Sequence, residues 1–387
     1  MKKCIYLYEL DNALALNRCK KSGDYNDVVY RYFGIRDKRI IKIFDCSFPL
    51  LKTILVTLSF VYIHLLFVRR LISSLLSKRP DPPSGALLCM YFFHKFSQLY
   101  KSSVGLNNGT KEYWVPGGNL NNKNDELKGK RLLNYTDYIK PNETLIILGL
   151  CYQTILYYFV KYHCYYAIYK VWDFYETYIG ISNISKDNEI VFCNQSDRWA
   201  ILFDSIPSRK KILIQHGIAS NDIICPVRLS NVDIFYSISK STYKDVYFSI
   251  LDCKPELRFQ KGSLHLSDIE KHNGIAILIV SHIVWFEKEE VLVRTLTQIG
   301  DIDIYLKKHP EVKNDQCYRD LQSAYPFNYI TDAFFPNVDG VISYQSTLAY
   351  EYRDIGIPTY IYDPSKPLPI QGIKCFVNEL KNNNKIR

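Results

Sequence analysis

Two lysines and a histidine stand where a predicted strand ends, in DIYLKKHP at 303–310. Pro310 has no main-chain N–H and stops strand pairing, which places His309 at the carboxyl edge of a sheet. Side chains alternate along a strand, so Lys307 and His309 share one face and Lys308 takes the other. Ammonium and imidazole groups bind phosphate oxygens, and open α/β sheets meet their ligands at this edge. The stretch predicts a phosphate site, although a solvated strand end has the same pattern.

A strand, a tight turn and a helix are predicted in VDGVISYQSTLAYEYRDIG at 338–356. The strand ends near Ser343, and the helix opens at Ser346 and Thr347. A helix N-terminus offers unpaired N–H groups and partial positive charge to a phosphate, and hydroxyl groups add donors. Glu351 lies on the same helix face as Thr347 and can accept hydrogen bonds from ribose hydroxyls. The alternative is a plain Ser346 N-cap with a surface carboxylate.

A third strand end carries a histidine, in RKKILIQHG at 209–217. His216 follows the apolar run directly, and Gly217 permits a sharp turn or the close approach of a ligand. An imidazole titrates near neutral pH, so it suits proton removal from an attacking hydroxyl. We therefore predict a general base at His216; a histidine hydrogen-bonded within a turn is the alternative.

Strands and helices alternate through most of the chain, which predicts an α/β fold with parallel sheets covered by helices. Two Rossmann-like domains are expected, an acceptor-side domain at 1–255 and a nucleotide-binding domain at 256–387, facing a central cleft. A helical and loop insertion is expected around 45–140. ETLIILGL at 143–150 is predicted as a buried strand, and the polar tail at 378–387 as disordered.

Composition narrows the partners of this chain of 387 residues. Its formal net charge of +10 predicts an anionic partner, and no zinc-finger spacing or recognition-helix pattern supports nucleic acid. The 11 cysteines are scattered singly with no C-x-x-C pair, which argues against a disulfide framework and a zinc site. We expect a chain kept in a reducing compartment.

One apolar stretch, TILVTLSFVYIHLLFV at 53–68, contains only His64 as an ionisable residue and precedes Arg69 and Arg70. It is short for a bilayer-spanning helix, which needs about 20 residues. The stretch therefore favours a helix that is buried in the protein or lies on a membrane surface over one that spans the bilayer. The surface helix would give peripheral membrane contact through 53–70, and a helix packed wholly inside the protein is the alternative.

The ordered set QHG (215–217), KKHP (307–310) and SYQST followed by Glu351 and GIP (343–358) resembles GT-B glycosyltransferases and glycerophosphotransferases of bacterial surface polymers. It is similar to the His-Pro and Ser/Thr motifs of bacterial sialyl-, polysialyl- and Kdo transferases, which use CMP-activated sugars. It also resembles the CDP-glycerol transferases of teichoic acid synthesis.

The resemblance implies a transferase that moves a sugar or polyol phosphate from a CMP- or CDP-linked donor to a saccharide or lipid-linked acceptor. Its histidine before glycine implies that His216 is the base. The paired acidic residues of bacterial sialyltransferases are absent from the sequence, so Asp197 remains a second candidate. The resemblance implies that Lys307, His309, Pro310, Ser346 and Thr347 bind the nucleotide and its phosphate. Ser343 and Glu351 complete the predicted nucleotide-binding residues.

Asp301 and Asp303 have the D-x-D spacing of metal-dependent glycosyltransferases, but they precede a predicted strand and lie at the opposite edge from His309. The expected enzyme therefore uses no metal, and no cofactor is expected. The resemblance implies that it acts at the cytoplasmic face of a bacterial membrane on a capsule, O-antigen or teichoic-type polymer. A GT-B-shaped UDP-sugar epimerase, a UDP-hexose transferase and a non-catalytic scaffold of a polymer export complex remain alternatives.

Overall fold

The computed structural model divides into two compact units, the first comprising the described residues up to Ser237 with Asp245–Arg258, the second Ile238–Lys244 and the residues from Phe259 onward. The structure describes residues 49–386 except 77, 92–95, 97–99, 101–102, 105–110, 118–128, 163–170, 196, 218–224, 241–242, 261–263, 271–273, 282–285, 310–314, 332–333, 345 and 364–365. The sequence MKKCIYLYELDNALAL at 1–16 predicts a first strand and turn, and these residues lie outside the described ranges.

A six-stranded sheet forms the first unit, in the order β2-β1-β3-β4-β5-β6. The pairs β1–β2, β1–β3, β3–β4 and β4–β5 are parallel. Most of its central residues are buried on both faces, as expected for a parallel sheet. The strands are β1 Ala86–Tyr91, β2 Glu112–Gly117, β3 Glu189–Phe192, β4 Lys210–Ile214, β5 Ile234–Ser237 and β6 Glu256–Phe259.

The second unit contains a five-stranded sheet, in the order β11-β10-β7-β8-β9, and its neighbouring strands are parallel. Short apolar runs in the sequence predict these strands, at 274–282, 301–310, 327–331, 338–345 and 357–363. The predicted α/β class with two parallel-sheet domains is confirmed. The strands are β7 Ile275–Val280, β8 Ile302–Lys307, β9 Asn328–Ile330, β10 Gly340–Ser343 and β11 Thr359–Ile361.

Helices connect these strands, and their apolar stripes form two buried clusters on opposite faces of each sheet. The sequence SDRWAILFDSI at 196–206 predicts a helix with Ser196 or Asp197 as its cap, and the helix is present with Asp197 as its N-cap. The helices are α1 Pro49–Leu76, α2 Pro141–Tyr162, α3 Val171–Ser185, α4 Arg198–Ser205, α5 Tyr243–Ile250, α6 Phe286–Ile299, α7 Gln316–Ala324, α8 Thr347–Asp354 and α9 Ile370–Ile386.

The strand predicted at 143–150 is wrong, because these residues lie in α2. Pro141 occupies the first helical position, and the Glu143 carboxylate accepts a hydrogen bond from the Lys140 N–H at 2.7 Å. Both are helix-start signals. Buried residues then recur at helical spacing, at Thr144, Ile147, Cys151 and Ile155. An apolar run of eight residues fits a strand or a buried helix equally well, and here the helix continues beyond it.

Two further predictions of irregular structure are wrong. Long surface loops are expected at 80–140, within the insertion predicted around 45–140, but this stretch contains β1 and β2, which extend the first sheet. The tail is helical rather than disordered, because Ile373, Val377 and Leu380 recur every three or four residues and are buried against the second sheet.

The helix predicted from the apolar stretch at 53–68 is present as α1 and extends beyond it at both ends. Among the described residues, none of the helices combines the length and the hydropathy that a membrane crossing needs.

Candidate functional site

The strand ends of the first unit bring His216 against the end of a neighbouring strand. His216 follows β4, and its Nδ1 atom lies within hydrogen-bonding distance of the main-chain carbonyl of Cys193, which follows β3. A carbonyl only accepts hydrogen bonds, so Nδ1 carries the proton and the lone pair of the neutral ring lies on Nε2. This tautomer suits proton removal through Nε2.

Burial favours the neutral form of this imidazole. Desolvation lowers the pKa of His216 below its ordinary value of 6.5, and the hydrogen bond to Cys193 and the negative charge of Asp197 oppose this shift. His216 is therefore neutral at neutral pH. An imidazole in this state is ready to accept a proton without first losing one.

Asp197, the second base candidate, acts as the N-cap of α4. Its Oδ1 accepts a hydrogen bond from the Ala200 N–H at 2.9 Å, and its Oδ2 accepts one from the Asn194 amide at 2.6 Å. The structure thus brings both candidates to one edge, where the carboxylate acts on the imidazole electrostatically. This geometry favours His216 as the base and Asp197 as a charge that stabilises the imidazolium.

A hydrogen-bonded turn that the sequence reasoning missed holds the His216 backbone. The fully buried Gln215 accepts a hydrogen bond from the Ser237 hydroxyl at 2.8 Å and donates one to the Gly217 carbonyl at 3.0 Å. Its main-chain N–H also bonds to the Tyr236 carbonyl at 2.9 Å. The available signal was a polar residue directly after a buried apolar strand. This network connects the His216 turn to the end of β5.

The second unit places Lys307 and Ser343 on one face of its sheet. Val280 of β7 pairs with Lys307 of β8, and extending the register of β10 on β7 puts Ser343 level with Val280. Lys307 and Ser343 are therefore two strand spacings apart, about 10 Å. Side chains on this face pack beneath α8. Two predicted nucleotide-binding residues thus share a face and an edge.

The two lysines of this strand end have different partners. The side chain of Lys307 is buried, with its Nζ 5.0 Å from the ring centre of Phe335. Lys308 lies on the other face, where its Nζ is 3.6 Å from the Asp315 carboxylate. The predicted alternation of faces is confirmed. His309 is half-buried just beyond the strand, and Pro310 lies outside the described residues.

The turn after β10 is tied to the start of α8. Ser346 is the N-cap and accepts a hydrogen bond from the Ala349 N–H at 3.2 Å, while the hydroxyls of Ser343 and Ser346 are 3.0 Å apart. Thr347 and Glu351 lie one turn apart on α8, both half-buried. The helix start that the sequence predicted as a phosphate seat is present at the carboxyl edge of the sheet.

A buried acid on the opposite face escaped the sequence reasoning. Glu289 of α6 is fully buried and accepts a hydrogen bond from the Tyr318 hydroxyl at 2.7 Å. That hydroxyl is also 3.0 Å from the hydroxyl of Ser281, which follows β7, and the Tyr344 hydroxyl donates to the Ser281 carbonyl at 3.3 Å. Burial, followed by the Glu289 charge, raises the pKa of Tyr318 and raises that of Tyr344 to about 12.

The hydrogen-bonded cluster around Glu289 lies at the same strand ends as Lys307 and Ser343, on the other side of the sheet. Its sequence signal was a glutamate in line with the apolar stripe of α6, where Leu292, Val293 and Leu296 are buried.

The D-x-D pair lies where the sequence predicted. Asp301 occupies the turn before β8, with a positive φ of 48°, and Asp303 is buried near the beginning of that strand. Neither carboxylate reaches the carboxyl edge of the sheet. Within the described ranges, no group of three or more His, Cys, Asp or Glu residues has a metal-binding arrangement.

No protein-family model matches the sequence, and no curated protein is similar to it. Among solved structures, the chain is similar to MurG of Acinetobacter baumannii at 11% identity and a TM-score of 0.41, over 79% of this chain and 94% of that one. It is also similar to sucrose-phosphate synthase of Thermosynechococcus elongatus, at 10% identity and a TM-score of 0.42, over 78% of this chain and 91% of that one. The similarity to TarM has 10% identity and a TM-score of 0.34, over 55% of this chain and 52% of that one. The chain therefore spans about half the length of TarM. Likenesses this weak establish no activity, substrate or partner.

Proposed function

We propose that this chain is a glycosyltransferase of the GT-B kind, which transfers a sugar or polyol phosphate from a nucleotide-activated donor to an acceptor hydroxyl. The observation that carries the proposal is the chemistry of the two sheet edges. One has a neutral imidazole with its lone pair on Nε2, and the other has a buried ammonium on the same sheet face as a helix that begins at that edge.

In the proposed reaction, Nε2 of His216 removes the acceptor hydroxyl proton as that oxygen bonds to the anomeric carbon of the donor sugar. The bond from that carbon to the phosphate oxygen breaks, and its electron pair leaves with the nucleotide. With a polyol phosphate, the attack is on phosphorus and the nucleotide phosphate leaves. Asp197 and the Cys193 carbonyl stabilise the imidazolium that forms.

Lys307 provides positive charge for the leaving phosphate, His309 provides a hydrogen bond, and Thr347 and the first two N–H groups of α8 provide further donors. These groups do the work that a metal ion does in other transferases, so we propose a metal-independent enzyme. Glu351 is assigned to the ribose hydroxyls. The strand of Ser343 and the Ser346 cap set the position of this helix start.

The resemblance of the QHG, KKHP and SYQST motifs supports a CMP- or CDP-linked donor and a growing capsule, O-antigen or teichoic-type polymer as acceptor. An acceptor of that class is carried on a lipid at the inner face of the cell membrane. We place the enzyme there, as a peripheral protein with contact through 53–70. The chain provides the apolar and basic residues for such a contact in that stretch.

A thermal-shift panel of CMP, CDP, UDP and GDP tests the nucleotide assignment. Cytidine nucleotides should raise the melting temperature of the wild-type chain and fail to do so in Lys307→Met. Lys308→Met is the matched control, because that lysine belongs to the same strand end but faces Asp315. Selectivity for UDP would point to an epimerase or a hexose transferase, and no response to any nucleotide would point to a scaffold.

A further inference from the structure

Helix α1 turns a long row of apolar side chains to solvent. The helix has 28 residues and is about 42 Å long. The row follows alternating intervals of four and three residues, so it stays on one side of the helix throughout. Its members, each between 44% and 65% exposed, are Ile54, Leu58, Val61, Leu65, Val68, Ile72 and Leu75.

The opposite side of α1 is fixed to the first unit. Ile63 is buried in the main cluster, and Phe60 and Phe67 pack against it. Arg70 forms an ion pair with Glu176 of α3, and both side chains are largely buried. The apolar row is therefore held outward by contacts on the other side of the helix.

Helix α2 extends the apolar surface. The ring of its Tyr152 stacks on Phe60 at 5.0 Å, and its hydroxyl is 2.9 Å from Nε2 of the exposed His64. Leu145 and Leu156, seven residues before and four after Tyr152, lie on the same stripe of α2 and are 59% and 57% exposed. We call the exposed apolar row of α1 with Leu145 and Leu156 the α1–α2 surface.

Charge distinguishes between the partners that would cover this surface. Residues 49–76 contain no aspartate or glutamate; exposed Arg69 lies within the length of the row, and exposed Lys78 and Arg79 follow its C-terminal end. If α1 of a second copy covered the row, neither helix would provide an aspartate or glutamate to offset these cations, whichever way the two helices run. An anionic lipid surface supplies the missing negative charge.

We propose that the α1–α2 surface docks onto an anionic phospholipid bilayer, with α1 lying in the plane of the interface. The row then enters the boundary between headgroups and acyl chains, and Arg69 contacts lipid phosphates. This inference deepens the proposed location of the enzyme and names its partner. It does not depend on the transfer chemistry, since the docking residues differ from those at either strand edge.

Vesicle sedimentation of the full chain tests the docking. The wild-type chain should bind vesicles that contain phosphatidylglycerol more tightly than pure phosphatidylcholine vesicles, and high salt should weaken this binding. Leu65→Ser with Ile72→Ser should weaken binding by about a hundredfold, because two apolar side chains no longer leave water. Arg69→Gln should weaken it by about fivefold.

The matched control is Phe248→Ser with Ile355→Ser, which removes two side chains that are 63% and 44% exposed outside this surface. It should bind vesicles like the wild-type chain. If the wild-type chain does not bind vesicles, or if the Leu65→Ser with Ile72→Ser variant binds them as tightly as the wild-type chain, the proposal is overturned. The proposal is also overturned if the wild-type chain binds no vesicles but sediments as a dimer, and Leu65→Ser with Ile72→Ser abolishes that dimer. The partner of the α1–α2 surface would then be a second copy of the chain.

Leu65→Trp gives a second measurement that does not depend on loss of an apolar side chain. Its emission should shift to shorter wavelength with anionic vesicles and be quenched by lipids brominated near the headgroup; an unchanged spectrum contradicts the docking. The melting-temperature response of the α1 variants to cytidine nucleotides separates the two proposals, because nucleotide binding should survive the loss of docking.

Discussion

The Nδ1 atom of His216 bonds to the main-chain carbonyl of Cys193, which joins the ends of the neighbouring strands β4 and β3. This contact fixes three properties of the ring at once: its orientation, its tautomer and its position at the carboxyl edge of the sheet. It also places the imidazole within the field of Asp197. A histidine held in this way has Nε2 as its proton acceptor.

Replacement of His216 by asparagine tests the base. The asparagine amide can still donate to the Cys193 carbonyl, so the turn should keep its structure, but no group replaces the Nε2 lone pair. Turnover should fall by about 10²–10⁴-fold. Steady-state kinetics measures the loss, and a melting temperature within a few degrees of the wild type serves as the control. Near-normal turnover in this folded variant would exclude His216 as the base.

The pH profile separates the two base candidates. Burial lowers the pKa of His216 below 6.5, so kcat/KM should be high at neutral pH and fall only as the pH drops through that lowered pKa. Asp197→Asn keeps a good N-cap residue but removes the charge that raises this pKa. Its acid limb should move to lower pH while turnover at neutral pH persists. Loss of turnover at every pH would instead make Asp197 the base.

Direct binding titrations should separate the two lysines of the KKHP motif. Lys307→Met removes a buried ammonium on the face of Ser343 and α8, and cytidine nucleotide affinity should fall by about 10–100-fold. Lys308→Met breaks a partly exposed ion pair with Asp315 on the other face and should leave affinity within about twofold. Calorimetric titration with CDP measures both. Equal losses would mean that the strand end acts only through its total charge.

The buried cluster around Glu289 should contribute to stability. Tyr318→Phe removes a 2.7 Å hydrogen bond to a fully buried carboxyl group and should cost about 1–3 kcal/mol of unfolding free energy. Tyr329→Phe is the matched control, since this ring stacks on Tyr318 but its buried hydroxyl has no hydrogen-bond partner within the described ranges. Its unfolding free energy should stay the same or rise slightly. Urea unfolding measures the unfolding free energy of both variants. A larger loss of unfolding free energy in Tyr329→Phe than in Tyr318→Phe would contradict this account.

Local signals predicted much of the fold. The strand ends at His216 and Lys307 and the Ser346 helix start followed from apolar runs, turn residues and capping chemistry, which act within a few residues. The same kind of pattern failed at 143–150, because a run of eight apolar residues does not distinguish a strand from a buried helix. It also failed for the tail, where a buried apolar stripe outweighed the polar composition of the sequence.

The sequence by itself determined the alternation of strands and helices and which polar side chains stand at strand ends, because those features depend on neighbouring residues. Only the tertiary structure decided that Asp197 lies within the field of His216, that Glu289 meets Tyr318, and that α1 turns its apolar row outward. Each of these relationships joins segments that sheet order and helix packing bring together. Their spacing along the chain carries no information about such contacts, since the contacts form only when the core is packed.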